Sequence, residues 1–225
     1  MENKTLGNKA SEDLLKLIQD KGYAVGEKLP NEYELSAILG VSRNTVREAL
    51  HSLASRNVLD IRQGAGTFIS EKMGVSDDPL GFSFVEDRRK LVEDLIQIRC
   101  IIEPQIASLA AQNATEEELV VLEEICTEIE KLIDAREDFT QKDLEFHTQL
   151  AICSNNMVMT KLIPVICEGV TVFSTMVETP EYEWTIKSHR EIVESVKAHR
   201  AVEAEQAMLF HLLYNRNRFM EQIKK

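Results

Sequence analysis

The stretch Glu32–Leu53, EYELSAILGVSRNTVREALHSL, leaves few folds open. Leu35, Ile38 and Leu39 recur at helical spacing, which predicts a short helix over 32–39 with those three turned inward. Gly40 follows, the residue that takes a left-handed turn without steric cost. Ser42 can cap a second helix over 43–54, whose inward face is Val46, Leu50 and Leu53. Small Ser36 falls where the two helices cross, and Val41 and Ala49 also point inward. Two short helices around a glycine turn form a helix-turn-helix. The following VLDIRQGAGTFIS reads as two short strands joined by a Gly-rich tip, a hairpin standing as a wing.

In such a motif the start of the second helix meets base edges. Here that position carries Arg43, Asn44, Thr45 and Arg47. Arginine suits guanine and asparagine suits adenine in the major groove. Ser42, Thr45 and the helix N-terminus can hold phosphate. The chain nevertheless has a formal net charge of −12, and the charge is unevenly spread. Residues 1–75 hold ten basic and ten acidic residues, so the whole excess lies in the remaining 150. The acidic part is repelled by phosphate, which confines DNA contact to the neutral N-terminal part.

A chain of 225 residues is long enough for two modest domains. The boundaries expected are a DNA-binding domain over 1–73, a linker with a short helix after Pro79 over 74–88, and an all-α domain over 89–225. A helix over 9–21 precedes the motif. Beyond residue 90 the period is helical throughout, with helices near 90–112, 116–135, 137–153, 157–177, 181–199 and 201–222. Thr115 before three glutamates, and Thr179-Pro180-Glu181, are helix-start signatures. Pro104 and Pro164 sit inside helical patterns, where each removes a backbone hydrogen bond and is expected to kink its helix. No apolar run approaches the roughly 18–20 residues needed to span a bilayer, and the N-terminus lacks the basic start and apolar block of a signal peptide. A cytoplasmic protein without membrane contact is expected. Cys100, Cys126, Cys153 and Cys167 are widely spaced and read as free thiols filling core.

The histidines of the acidic part are few, and three share a pattern. His147, His189 and His211 lie on apolar faces of three different helices, and Asp143 sits one turn before His147. Each could be a hydrogen-bonded core residue. Together, one carboxylate and three imidazoles also suit Zn²⁺ first, or Ni²⁺, Mn²⁺ or Fe²⁺. Arg99 shares a helical face with Leu95, Ile102 and Ile106, and a buried guanidinium needs an anion. Glu103, one turn on, is one candidate partner; a ligand carboxylate is the other. His51 is placed to touch DNA backbone, and His199 is expected in solvent.

EKLPNEYELSAILGVSRNTVREALHSL followed by RQGAGTFIS closely resembles the winged helix-turn-helix domain of the GntR family of bacterial transcription regulators, over about residues 9–70. The resemblance implies that Arg43, Asn44, Thr45 and Arg47 read the operator, while Gln63 and Gly64 at the wing tip enter the minor groove. Tyr33 departs from the pattern, since the family usually places an arginine there. DLEFH at 143–147, SHREIVESV from 188 and AMLFHLL from 207 are similar to the ligand-bearing helices of the FCD effector domain of the FadR-type branch, over about residues 80–222. That resemblance implies a divalent metal held by Asp143, His147, His189 and His211, with Arg99 beside it as an effector-binding residue.

The expected whole is a mostly α protein, an N-terminal winged helix-turn-helix joined to a C-terminal all-α, FCD-like bundle, and its expected role is a ligand-responsive repressor that senses a small carboxylate at the metal. One neutral winged helix makes too few phosphate contacts for tight specific binding, so a homodimer on a pseudo-palindromic double-stranded operator follows. Two rivals remain at this stage. One is a metal-dependent hydrolase fused to a DNA-binding domain, disfavoured because no second acid or base is evident beside the histidines. The other is a regulator for which the metal alone is the effector.

Overall fold

The computed structural model describes residues 6–72, 74–76, 78–171 and 182–222. The chain divides into two compact units between Leu80 and Gly81.

In the first unit, α1 (Leu6–Lys21), α2 (Glu32–Leu39) and α3 (Arg43–Ala54) precede strands β1 (Leu59–Arg62) and β2 (Gly66–Ile69). The start of α2 is fixed by a capping box. Asn31 Oδ1 accepts from the backbone of Tyr33 and Glu34, and Glu34 Oε2 accepts from the Asn31 backbone. Gly40 ends α2 in the left-handed region at φ 66°, and the turn is tied by the Ser36 hydroxyl donating to the Val41 carbonyl at 2.6 Å. Ser42 then caps α3, its Oγ accepting from Thr45 N–H at 3.2 Å. Leu14, Leu35, Val46 and Leu53 close the core at 0% exposure. Ile38 differs from expectation. It is 54% exposed, because an eight-residue helix with one packed face has room for Leu35 and Leu39 but not for a third neighbour. Helix α1 also begins earlier than expected, at Leu6.

β1 and β2 pair antiparallel in the register Leu59↔Ile69 to Arg62↔Gly66. Residues 26–29 flank the hairpin, with Leu29 N–H donating to Thr67 O at 2.8 Å and Ile69 N–H to Glu27 O at 2.9 Å. This third edge anchors the wing. Its tip holds Gly64 at φ 74° and Gly66 at φ 119°. A Cβ at Gly66 would sit 2.7 Å from Lys28 Cε.

The second unit opens on a 3₁₀ turn (Phe82–Phe84), where a helix after Pro79 is expected from sequence. Arg88 donates to the Phe82 and Ser83 carbonyls at 2.9 and 2.7 Å, folding the turn back on the helix that follows. Gly169 leaves room for the Phe82 ring, since a Cβ there would meet it at 3.2 Å. Six helices follow: α4 (Arg88–Asn113), α5 (Glu116–Ala135), α6 (Thr140–Cys153), α7 (Met157–Thr171), α8 (Tyr182–Lys197) and α9 (Ala201–Gln222). The Thr115–Glu118 capping box starts α5. Helix α6 starts at Thr140 rather than 137, because the Asp138 carboxylate accepts from the Thr140 backbone and hydroxyl and so closes a local turn first. The expected helix end at 172–177 and the Thr179-Pro180-Glu181 start lie outside the described residues. α4 and α7 run through Pro104 and Pro164 without interruption.

α4 is the central helix, packed against α6, α7, α8 and α9. Its small residues Ala107, Ala110 and Ala111, all at 0% exposure, let neighbouring backbones approach. Around them Leu122, Phe146, Ile163, Ile192 and Met208 fill the core at 0% exposure. None of the four cysteines is in a disulfide. Among the described residues no helix is long and apolar enough to cross a membrane.

Candidate DNA-reading helix and metal-and-ligand centre

Ser42, itself exposed, heads the first turn of α3. Arg43 and Asn44 are exposed and Thr45 is half-buried, its hydroxyl 2.9 Å from Ser42 Oγ. Arg47 is held differently. Its guanidinium donates from Nε to Glu32 Oε1 at 2.9 Å and from Nη2 to Glu32 Oε2 at 2.6 Å, a two-point fork across the helix pair. Arg43 Nη2 approaches the same carboxylate at 3.9 Å. The Arg47 hydrogen bond holds the Glu32 carboxyl below its ordinary range despite some desolvation, and Glu32 in turn raises Arg47. Glu32 therefore organises both arginines of the reading helix, a role that nothing in its sequence neighbourhood signals. Asn44, Arg47, Glu48 and His51 line one shallow concavity. Gln63 and Gly64 are exposed at the wing tip, and Tyr33 is 73% exposed at the start of α2.

The second unit gathers Asp143 and His147 from α6, His189 from α8 and His211 from α9. The three imidazoles are at most 1% exposed, and each offers a nitrogen within 4.8 Å of the others. Asp143 reaches two of them, with Oδ1 at 3.4 Å from His189 Nε2 and Oδ2 at 3.7 Å from His147 Nε2. Phe146 stacks on the His189 ring at 4.2 Å. Burial drives the His189 pKa down to about 4, with Asp143 opposing and the cation Arg99 and ring of His147 adding to the fall. Burial, then His189 and His147, also lowers His211. His189 and His211 are therefore neutral, the form that ligates a metal.

The two other histidines behave differently. His51 stays on the surface of α3, whereas His199, expected in solvent, turns its Nδ1 to the Ala111 carbonyl at 2.9 Å and adopts φ 54°. It ties the turn after α8 to the end of α4.

His211 Nδ1 lies 2.8 Å from Ser188 Oγ, and that hydroxyl donates to the Thr185 carbonyl at 3.3 Å. With its proton so committed, Ser188 accepts from His211 Nδ1–H, which leaves the Nε2 lone pair for the Asn215 amide at 3.1 Å, or for a metal in place of that amide. Both ring nitrogens of His147 and both of His189 are buried and make no aligned hydrogen bond. Buried polar atoms are costly to leave unpaired. Two such rings sharing a carboxylate with a third imidazole beside them fit a divalent ion.

Arg99 and Glu103 extend the site along α4. Arg99 is 8% exposed and Glu103 2%. Arg99 Nε donates to Glu103 Oε1, so Glu103 is its resident counter-ion. Arg99 Nη2 is buried and has no partner. Glu103 Oε2 lies 2.5 Å from His147 Nδ1, close although not aligned as a hydrogen bond. Burial alone would raise the Glu103 carboxyl; Arg99 and His147 outweigh it and hold it down at about 2. A carboxylate does therefore stand beside the histidines, contrary to the sequence expectation, because it comes from α4 and only helix packing brings it there. Cys167 of α7 touches the same group, its Sγ 3.8 Å from Glu103 Oε1, and burial pushes its thiol well up. Cys153 is core, its Sγ between Gln149 and the Glu118 carbonyl.

Two families match this chain: "Bacterial regulatory proteins, gntR family" over residues 6–69 and "FCD domain" over residues 94–213. A solved structure described as Streptococcus agalactiae GntR is 42% identical, superposes with a TM-score of 0.86, and covers 94% of this chain and 99% of its own. Among curated relatives, the uncharacterized HTH-type transcriptional regulator YcbG of Bacillus subtilis is 27% identical, covering 98% of this chain and 93% of itself. The HTH-type transcriptional repressor NanR of Escherichia coli is 27% identical over 94% of this chain and 83% of its own length. These relatives are transcription regulators rather than enzymes, which removes the hydrolase reading. With a winged helix-turn-helix ahead of a buried histidine bundle, the chain belongs to the GntR family and is a DNA-binding transcription regulator with an FCD domain.

Proposed function

We propose that the protein is a ligand-responsive repressor in the cytoplasm, acting as a homodimer on a pseudo-palindromic operator. Ser42, Arg43, Asn44, Thr45 and Arg47 read and grip the major groove, and Gln63 and Gly64 enter the minor groove. Asp143, His147, His189 and His211 hold one divalent metal, Zn²⁺ first among Ni²⁺, Mn²⁺ and Fe²⁺. A small carboxylate binds between that metal and Arg99. The observation that carries this reading is the juxtaposition of unsatisfied groups: Nε2 of His147, both ring nitrogens of His189 and Nη2 of Arg99, all buried in one region of the bundle. A metal supplies open positions for an anionic oxygen, and Nη2 supplies a charged donor for the same anion. Repression follows the character of a relative, named a repressor.

The ligand acts only through differential affinity for two arrangements of the bundle, one of which, through residues 74–88, sets the reading heads apart from operator spacing. The test is a thermal-shift screen of small mono- and dicarboxylates on zinc-loaded protein, followed by operator mobility shift with each hit. Stabilisation that also releases operator, and that disappears in Arg99→Met, supports the reading. Stabilisation that persists in Arg99→Met removes Arg99 from the ligand site. Operator release by zinc alone, with no carboxylate effect, would make the metal the effector.

A further inference from the structure

Among the described residues, Glu103 is the carboxylate that touches both halves of this centre. One oxygen accepts from Arg99 Nε, and the other lies 2.5 Å from His147 Nδ1. The residue is 2% exposed. It stands one turn from Arg99 on α4 and is followed by Pro104, which is also buried and whose missing N–H leaves the Cys100 carbonyl without its usual helical donor. The geometry points to Glu103 as a positioning residue that couples the metal ligand His147 to the anion-binding Arg99.

This role rests on the metal-and-anion reading above and acts through the tautomer of His147. Nδ1 and Oε2 cannot lie 2.5 Å apart as two bare acceptors, so we place the ring hydrogen on Nδ1, on the side of the carboxylate, and the lone pair on Nε2. Nε2 is the nitrogen that faces Asp143, at 3.7 Å, and so the side on which a metal would sit. A carboxylate behind a ligating imidazole fixes ring orientation and increases ligand basicity, and its loss costs about 10–100-fold in metal affinity. The same carboxylate is shared with Arg99. Whatever an anion at Nη2 draws from Arg99 alters how strongly Arg99 holds Glu103, and therefore how strongly Glu103 polarises His147. Glutamine at 103 breaks this relay with little change of shape. If its carbonyl faces Arg99, its amide presents N–H to His147 Nδ1, which moves the ring proton to Nε2 and blocks that nitrogen as a ligand.

The experiment is a Zn²⁺ titration against a chromogenic chelator on full-length wild type, Glu103→Gln, Arg99→Met and the double variant, with zinc alone as probe. Long-range ¹H–¹⁵N correlation spectra of metal-free wild type report the His147 tautomer and need no variant. Glu103→Gln is expected to bind zinc about 10–100-fold more weakly. Two independent residues would give a double variant whose fold-change is the product of the single ones; coupled residues depart from that product by about three-fold or more. Removing both charges together avoids stranding one in the core, which guards the comparison against misfolding. The proton on His147 Nδ1 in wild type, with that departure, supports the proposal. Tight zinc binding by wild type and Glu103→Gln alike, or a proton on Nε2 in wild type, overturns it and leaves the metal site standing. Wild type that binds no zinc overturns the metal reading itself.

Discussion

Replacing Arg99 with methionine tests how this bundle tolerates its buried charges. Arg99 and Glu103 are 8% and 2% exposed, and the guanidinium is the direct counter-ion of the carboxylate. Methionine fills much of the same volume, so the main consequence is an uncompensated carboxylate in the core. Breaking a buried pair this way costs about 3–5 kcal/mol. For a unit of this size each kcal/mol lowers the melting temperature by about 2–4 °C, so a fall of about 10 °C is expected. The sign with pH follows from the shift. Glu103 in wild type is held at about 2, so its contribution is full above the ordinary carboxyl range and is lost as pH falls toward 2. In Arg99→Met the same carboxyl is raised, and its penalty fades on acidification. The gap between the two proteins is therefore widest at neutral pH and narrows as pH falls. Urea unfolding of metal-free protein, followed by the fluorescence of the single tryptophan, Trp184, reads the correct unit, because Trp184 stacks on Tyr214 within the bundle. Arg99→Met/Glu103→Gln should recover most of the loss. An Arg99→Met protein within about 1 kcal/mol of wild type at pH 7.5, against the 3–5 expected for a stranded charge, would refute the pairing.

Glu32→Gln frees Arg47 from its two-point hold, and operator discrimination over random DNA should fall about ten-fold while non-specific binding rises; equal discrimination in competition mobility shifts would contradict it. Ser42→Ala removes the cap of α3 and should destabilise the first unit by about 1 kcal/mol in urea unfolding, weakening operator binding in parallel. Acidification of the metal-free protein should lower stability as pH falls from about 6.5 toward 4, because His189 stays neutral in the fold while its unfolded counterpart takes a proton; a flat melting temperature across that window counts against a buried neutral ring. In the same window bound zinc should be released, since each imidazole must shed a proton to ligate.

The parts of this molecule written locally were readable in its sequence. Gly40 at a positive φ, Ser42 at the head of α3 and Thr115 before its glutamates each act within four residues, and each does what its type and spacing predict. The inward pattern of His147, His189 and His211 was legible because one apolar helical face per histidine suffices to bury it. Their convergence was not in any one helix. It depends on how α6, α8 and α9 pack, and so does the arrival of Glu103 from α4 behind His147. Glu32 escaped for the same reason, since its partner lies 15 residues away on the next helix. Ile38 shows the converse: periodicity assigned it a buried face that so short a helix does not have. Asn215 on His211 and the Ala111 carbonyl on His199 are contacts between side chain and neighbour that no period encodes.

A metal in the bundle is central to the proposed role, and metal content per protomer tests it most directly. Protein purified without chelator or histidine tag is analysed by plasma mass spectrometry beside His147→Ala, before and after incubation with Zn²⁺, Ni²⁺ or Mn²⁺. One equivalent in wild type, lost in His147→Ala, is the predicted result. Wild type that stays empty after all three incubations would contradict the account and return the three histidines to the core.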